Sequence, residues 1–200
     1  MKAIMLSIRP EWCEKIISGK KTIEVRKTRP KTNLPFKCYI YCTYGRRLIE
    51  RFDSGYPNML LEQKATAKEI WSNCCNGKVI GEFVCDEITE YTNYSLDEQS
   101  GHIKRRENLL RSACMTLKDW RDYIGSYASD FGYAWHISNL VMYDEPKPLA
   151  YFYNECPGLD NTGMCYECEN AVGDECDCAL NGRRHLSRPP QSWCYVEGYR

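Results

Sequence analysis

Residues 18–27 read SGKKTIEVRK: two adjacent lysines, a glutamate and an arginine set into a run that otherwise has the composition of a short strand. Successive side chains of an extended chain point to opposite faces. A strand from Thr22 to Lys27 therefore puts Ile23 and Val25 on one face and Glu24 and Arg26 on the other. Lys21 has the wrong parity to join Glu24 from within that strand, but it can do so from a turn after Gly19, where glycine admits backbone conformations that other residues resist. Two readings compete. In one, the charges form a solvated face with an intrastrand Glu24/Arg26 pair, which at a surface contributes about 0–1 kcal/mol. In the other, Lys21, Glu24 and Arg26 converge on a cleft.

The flanking sequence supplies a fold for this stretch. AIMLSI (residues 3–8) is an apolar run of strand length, and Pro10 suits the first turn of a helix. PEWCEKIISG then places Trp12 and Ile16 on one helical face and closes with Gly19. Pro30 and Pro35 mark a loop before a third strand, KCYIYCTYG, ending at Gly45. From 46 to 76 the pattern is weak, and LEQKATAKEIWSNCC fits a helix or an irregular insertion. After the turn NGK, VIGEFVCDEITEY reads as one long strand. RRENLLRSA and TLKDWRDYIG read as two helices, the second with Thr116 as N-cap, Leu117, Trp120 and Ile124 on its apolar side, and Gly125 as its end. YAWHISNLVMYD is the final strand of the main domain, and EPKPL terminates it. Strands with interposed helices but no βαβ regularity predict an α+β domain, a small curved sheet or partly open barrel with helices at its ends. Composition turns acidic and Cys-rich near Pro148–Asn154, dividing residues 1–154 from 155–200.

Hydrophobic residues make up 43% of the 200 and charged residues 27%, with no repeat and no apolar stretch near the roughly 18 residues of a membrane helix. A soluble globular protein that does not enter membranes is expected. Ser7 and Arg9 break the N-terminal apolar run before a secretory core of about 7 residues can form, which points to the cytoplasm. The 13 cysteines then read as buried thiols or metal ligands rather than bridges. Net charge is zero but uneven: residues 1–50 hold twelve Lys and Arg against four Glu, and residues 144–180 hold nine acidic residues against one Lys. A basic N-terminal quarter draws polyanions such as RNA, DNA or nucleotide phosphate. The alternative is that the two ends face and neutralise each other.

Gly19 to Arg26, GKKTIEVR, resembles the G-x-K-x-x-E-x-R motif of the ASCH (activating-signal-cointegrator homology) domain, a relative of the PUA RNA-binding domains. The preceding strand IMLSI and the Pro-Glu-Trp helix start fit the same order. The resemblance is specific over residues 3–28, looser to about residue 154, and RPPQSWCYV resembles the end of ASCH proteins from bacteria and their phages. It implies a PUA-like small β-barrel with flanking helices and a cleft lined by the motif, binding RNA or a nucleoside. One bacterial branch is a 4-acetylcytidine amidohydrolase with a catalytic lysine at the position of Lys21, a threonine nucleophile at that of Glu24, and a glutamate ahead of the helix resembling MTLKDW. This chain departs twice, with Glu24 in place of the threonine and Ala113 or Cys114 near the glutamate's position. Lys21 and Glu24 remain able to act as an acid/base pair.

A cleft holding Gly19, Lys21, Glu24 and Arg26 has the parts for a nucleotide: Arg for a phosphate or base edge, Glu to accept from an exocyclic amine, Lys for phosphate. Trp135, with Trp12, Tyr133, Tyr39 and Tyr41, is a candidate for base stacking, which contributes about 1–3 kcal/mol per base. His136, on the opposite face from Trp135, reads as structural.

In the tail, Cys165-x2-Cys168 is the spacing with which two thiolates grip a tetrahedral zinc. The expected site draws four ligands from Cys156, Cys165, Cys168, Cys176 and Cys178, with the zinc structural and supplying folding energy that an acidic segment poor in apolar residues lacks. Free thiols on the tail are the alternative. Trp193 and Tyr195 share a strand face and are expected to dock the tail onto the barrel near the cleft. Three functions follow: an RNA- or nucleoside-binding module; a hydrolase of modified cytidine or RNA using Lys21 and Glu24; or a protein-interaction adaptor whose contact surface is the tail.

Overall fold

Strand β1 (Lys2–Ile8) is buried on both faces: Ala3 and Met5 on one and Ile4, Leu6 and Ile8 on the other are at most 3% exposed. That is why it reads as an unbroken apolar run. The computed structural model describes residues 2–45, 74–96, 103–155 and 183–197. The expected helix or insertion falls mostly, and the candidate zinc ligands Cys156, Cys165, Cys168, Cys176 and Cys178 wholly, outside the described residues.

Helix α1 (Pro10–Ile17) opens on its proline and buries Cys13 and Ile16. Gly19 ends it at φ +70°, a left-handed turn that reverses the chain, and the Lys21 N–H donates back to the Lys15 carbonyl at 2.9 Å. Strands β2 (Ile23–Arg26) and β3 (Phe36–Cys42) follow as expected. After them come β4 (Lys78–Cys85), β5 (Ile88–Thr92), helices α2 (Ile103–Ala113) and α3 (Leu117–Ile124), then β6 (Phe131–His136) and β7 (Ser138–Pro148). Three short strands complete the order: β8 (Tyr153–Glu155), β9 (Arg183–His185) and β10 (Trp193–Glu197).

These strands form two sheets, one of seven strands in the order β7-β4-β3-β1-β10-β8-β9 and one of three in the order β2-β6-β5. Among the described residues no closed barrel forms, which corrects the expected PUA-like barrel to a pair of open sheets with helices. The two long strands expected from the sequence each break and change sheets, at Asp86–Glu87 between β4 and β5 and at Ile137 between β6 and β7. At these corners the Ile137 N–H turns to the Thr22 carbonyl and the His136 N–H to that of Glu87, both at 2.9 Å. Such corners are how strands pass between packed sheets.

Three apolar clusters fill the layers. One lies between the sheets and α1 and includes Leu6, Ile16, Ile40, Phe83 and Trp135. A second covers the other face of the large sheet, with Met5, Tyr39, Tyr41 and Phe152. The third joins Val25 and Ala134 of the small sheet to Leu109 of α2 and Trp120 of α3. The shift in composition near residue 154 is crossed by the sheet itself. β10 pairs antiparallel with β1, Ile4 opposite Tyr195 and Leu6 opposite Trp193, and so stands between β1 and β8.

Candidate functional site

Strand β2 pairs antiparallel with β6, Glu24 opposite Trp135 and Arg26 opposite Tyr133. Paired residues share a sheet face. Ile23 and Val25 therefore face the helices, where both pack, and Glu24 and Arg26 face inward toward the large sheet. Of the two readings left open by the sequence, the solvated face does not hold, since the charged side chains are buried: Lys21 is 3% exposed, Glu24 7% and Arg26 5%.

Glu24 sits between the two cations. Its Oε1 accepts from the Arg26 guanidinium at 2.9 Å, and its Oε2 lies 3.4 Å from Lys21 Nζ. Lys21 Nζ also donates to the Ala113 carbonyl at the end of α2, at 2.8 Å, and lies 5.0 Å from the centroid of the Trp12 ring. Arg26 reaches across to the large sheet. Its Nη1 donates to the Ser192 carbonyl and hydroxyl at 3.0 and 3.2 Å, and its Nη2 to the Ser7 carbonyl at 2.9 Å. Burial pushes the Lys21 ammonium below the ordinary amine range, against the opposing pull of the Glu24 carboxylate. Pairing inside a low-dielectric site is stronger than at a surface, and Glu24 is the member on which both cations depend.

A cleft of about 510 Å³ opens beside this triad, within the usual range of small-molecule sites. Its wall brings together Lys21, Glu24 and Arg26 with Trp12 of α1, one of the aromatic candidates. Gly19 stays outside the lining and acts through the turn that aims Lys21. Trp135 is a correction: it is fully buried, packed edge-on against Phe36 and tilted against Trp193, and it offers no face to a ligand. It shares Glu24's inward face but lies toward the interior, where its indole fills space between the sheets. Tyr39 and Tyr41 are likewise buried, on the far face of the large sheet.

Further wall residues were not singled out from the sequence. Asp119, Asp122 and Tyr123 come from one face of α3, and their i, i+3, i+4 spacing was the available signal. Asp119 is already engaged in the helix cap, where the Thr116 N–H donates to it at 2.8 Å and holds its carboxyl below the usual range. Asp122 pairs with Lys118. Arg9 enters from the N-terminus of α1, and Gln191 and Ser192 from the segment leading into β10. No local pattern announces the last two, since they reach the cleft only because β10 returns to β1. Trp193 and Tyr195 do dock the tail beside the cleft: the Trp193 indole N–H donates to Thr28 Oγ1 and Tyr195 Oη accepts from the Lys31 N–H, each at 2.9 Å. Among the described residues no cluster of three or more His, Cys, Asp or Glu is arranged to hold a metal ion, and no helix is long and apolar enough to cross a membrane.

Two open sheets with flanking helices, and a cleft edged by a buried Lys–Glu–Arg triad on the strand after a glycine turn, define an α+β domain. The ASCH domain family matches residues 6–147, and the chain belongs to that family. Among solved structures, the crystal structure of ASCH from Zymomonas mobilis is similar at 17% identity and a TM-score of 0.51, covering 98% of this chain and 87% of that one. A serine-to-alanine mutant of the Zymomonas mobilis protein gives 16% identity and a TM-score of 0.50, over 98% of this chain and 88% of that one. These likenesses support the fold. No curated protein matches the chain in sequence. The family match ends before Gln191 and Ser192, so part of the cleft lies beyond it.

Proposed function

We propose that the cleft binds RNA or a modified nucleoside. The observation that carries this reading is the wall itself, where a buried Lys21–Glu24–Arg26 triad adjoins the half-buried Trp12 ring in a space of about 510 Å³. An aromatic face stacks a base, and fixed charges beside it recognise polar base edges. Membership in the ASCH family, a relative of RNA-binding domains, supports the same class of ligand.

The test is titration with a panel of ribonucleosides, acylated cytidine and short RNAs, followed by calorimetry. Saturable binding is expected, weakened at least tenfold in both Lys21→Met and Trp12→Ala while the far-ultraviolet circular dichroism is kept. An unresponsive wild type, or two folded variants with unaltered affinity, overturns the reading.

One observation favours a second reading, hydrolysis of modified cytidine or RNA. A lysine held below the ordinary amine range is easier to deprotonate, and Glu24 Oε2 at 3.4 Å is placed to exchange a proton with it. Released acetate or shortened RNA in the same panel would establish it, and ligand recovered intact from every complex would leave the protein a binder.

A further inference from the structure

The charges that line the cleft balance: Arg9, Lys21 and Arg26 against Glu24, Asp119 and Asp122. The two deep cations are also largely engaged: of their nitrogens, only the buried Arg26 Nε lacks a partner among the described residues. Arg26 gives its Nη groups to Ser192, Ser7 and Glu24, and Lys21 gives its ammonium to Ala113 and Glu24. A phosphate entering the cleft would have to displace these partners. A base would not.

Cations without a hydrogen-bond or ion-pair partner for the side chain among the described residues stand just outside. Lys27, Arg29 and Lys31 follow the motif directly and are all exposed. No acidic residue occurs between Glu24 and Glu50 to neutralise them locally. The loop that carries them is held at two points against β10, at Thr28 by the Trp193 indole and at the Lys31 N–H by the Tyr195 hydroxyl. Ser192, immediately before that strand, lines the cleft, and Lys27 Nζ lies 5.4 Å from the ring centroid of Tyr123, another wall residue. The row of cations thus begins at the mouth of the cleft and is fixed relative to it.

We propose that Lys27, Arg29 and Lys31 form a phosphate-binding rim, and that the ligand is a single-stranded polynucleotide with one base in the cleft and its backbone across this loop. The proposal rests on the reading of the cleft as a base-binding site and assigns the phosphates to residues outside the motif. Exposed lysine and arginine bind phosphate by releasing counterions, so each contact adds about 0.7 to the slope of log affinity against log salt for a single strand.

The experiment measures fluorescence anisotropy of a labelled ten-nucleotide RNA of mixed sequence at several salt concentrations, with the wild type and with Lys27→Ala/Arg29→Ala/Lys31→Ala. Wild-type protein should bind the ten-mer more tightly than any free ribonucleoside, and the slope should fall by about 2 in the triple variant. A milder Lys27→Gln/Lys31→Gln pair, with a fall of about 1.4, keeps the test available if the triple variant does not fold. A DNA ten-mer that behaves alike supports the rim, because the backbone phosphate is common to both. An unchanged slope, or a poly-glutamate peptide that competes as well as the RNA, overturns the rim. If nucleosides still bind in that case, the cleft reading survives alone. A wild type that binds neither ten-mer nor nucleoside overturns both.

Discussion

Glu24 is the one negative member of a buried group of three, accepting from Arg26 at 2.9 Å and lying 3.4 Å from Lys21. Removing its charge while keeping its shape leaves two cations facing each other in a site from which water is largely excluded. Glu24→Gln should therefore destabilise the fold by on the order of 3 kcal/mol, and Lys21→Met by less, since it leaves a matched Glu24/Arg26 pair. Urea denaturation compares them, and an ordering in which Lys21→Met is the worse variant would contradict this account. At this scale the sequence was informative about geometry and misleading about environment. Parity correctly separated Ile23 and Val25 from Glu24 and Arg26 and moved Lys21 to the glycine turn. It carried no sign that the charged face would be covered, because the cover comes from Ser7 and Ser192, distant in sequence. The same blindness put Trp135, an aromatic on a strand, among the ligand residues: it pairs opposite Glu24 and shares its face, but packs into the core rather than reaching the cleft.

Helix α3 shows how a short element holds part of the site. Thr116 accepts from the Asp119 N–H at 3.1 Å, and the Asp119 carboxylate accepts in return from the Thr116 N–H, a complete capping box. The helix is anchored by Trp120, whose indole N–H donates to Asn93 Oδ1 at 2.9 Å. Thr116→Ala should lower stability by about 1 kcal/mol and weaken ligand binding as well, because the same cap orients Asp119 and Tyr123 at the cleft wall. Thermal melting and titration with the ten-nucleotide RNA measure the two effects, and a melting temperature equal to that of the wild type would refute the first. Caps of this kind are legible in sequence, since they depend on residues three apart. The corners at Asp86–Glu87 and Ile137 were not. Apolar periodicity runs straight through them, and what bends the chain there is hydrogen bonding to Thr22 and Glu87, partners supplied by the finished fold.

Among the described residues, buried thiols, with tyrosines raised in the same direction, shape the response to alkaline pH. Burial raises Cys13 and Cys38 well above the ordinary thiol range, Cys85 to about 12 and Cys194 to about 11. The folded chain holds these protons more tightly than the unfolded one. Their contribution is complete below the ordinary thiol value of about 8.5 and is lost as pH rises toward the folded values. Lys21 acts oppositely, its lowered value favouring the fold as pH rises through the alkaline range, but among the described residues the raised thiols and tyrosines outnumber it. The urea midpoint should therefore be lower at pH 10 than at pH 8; a rise would mean that the amine outweighs the thiols. The α+β class and the order of most elements were legible in the sequence, whereas the partition into two sheets and the insertion of β10 beside β1 were not, since pairing between distant strands leaves no local trace. That insertion also sets a timetable. The Ser7 hydroxyl bonds the Pro190 carbonyl across a separation of 183 residues, and Arg26 waits on Ser192 across 166. Contacts so distant form late and slow the search for the native state. A nascent or clipped chain lacking residues 190–197 would carry the whole GKKTIEVR motif and still have no finished cleft, so the proposed binding site is complete only after β10 has been made and paired with β1.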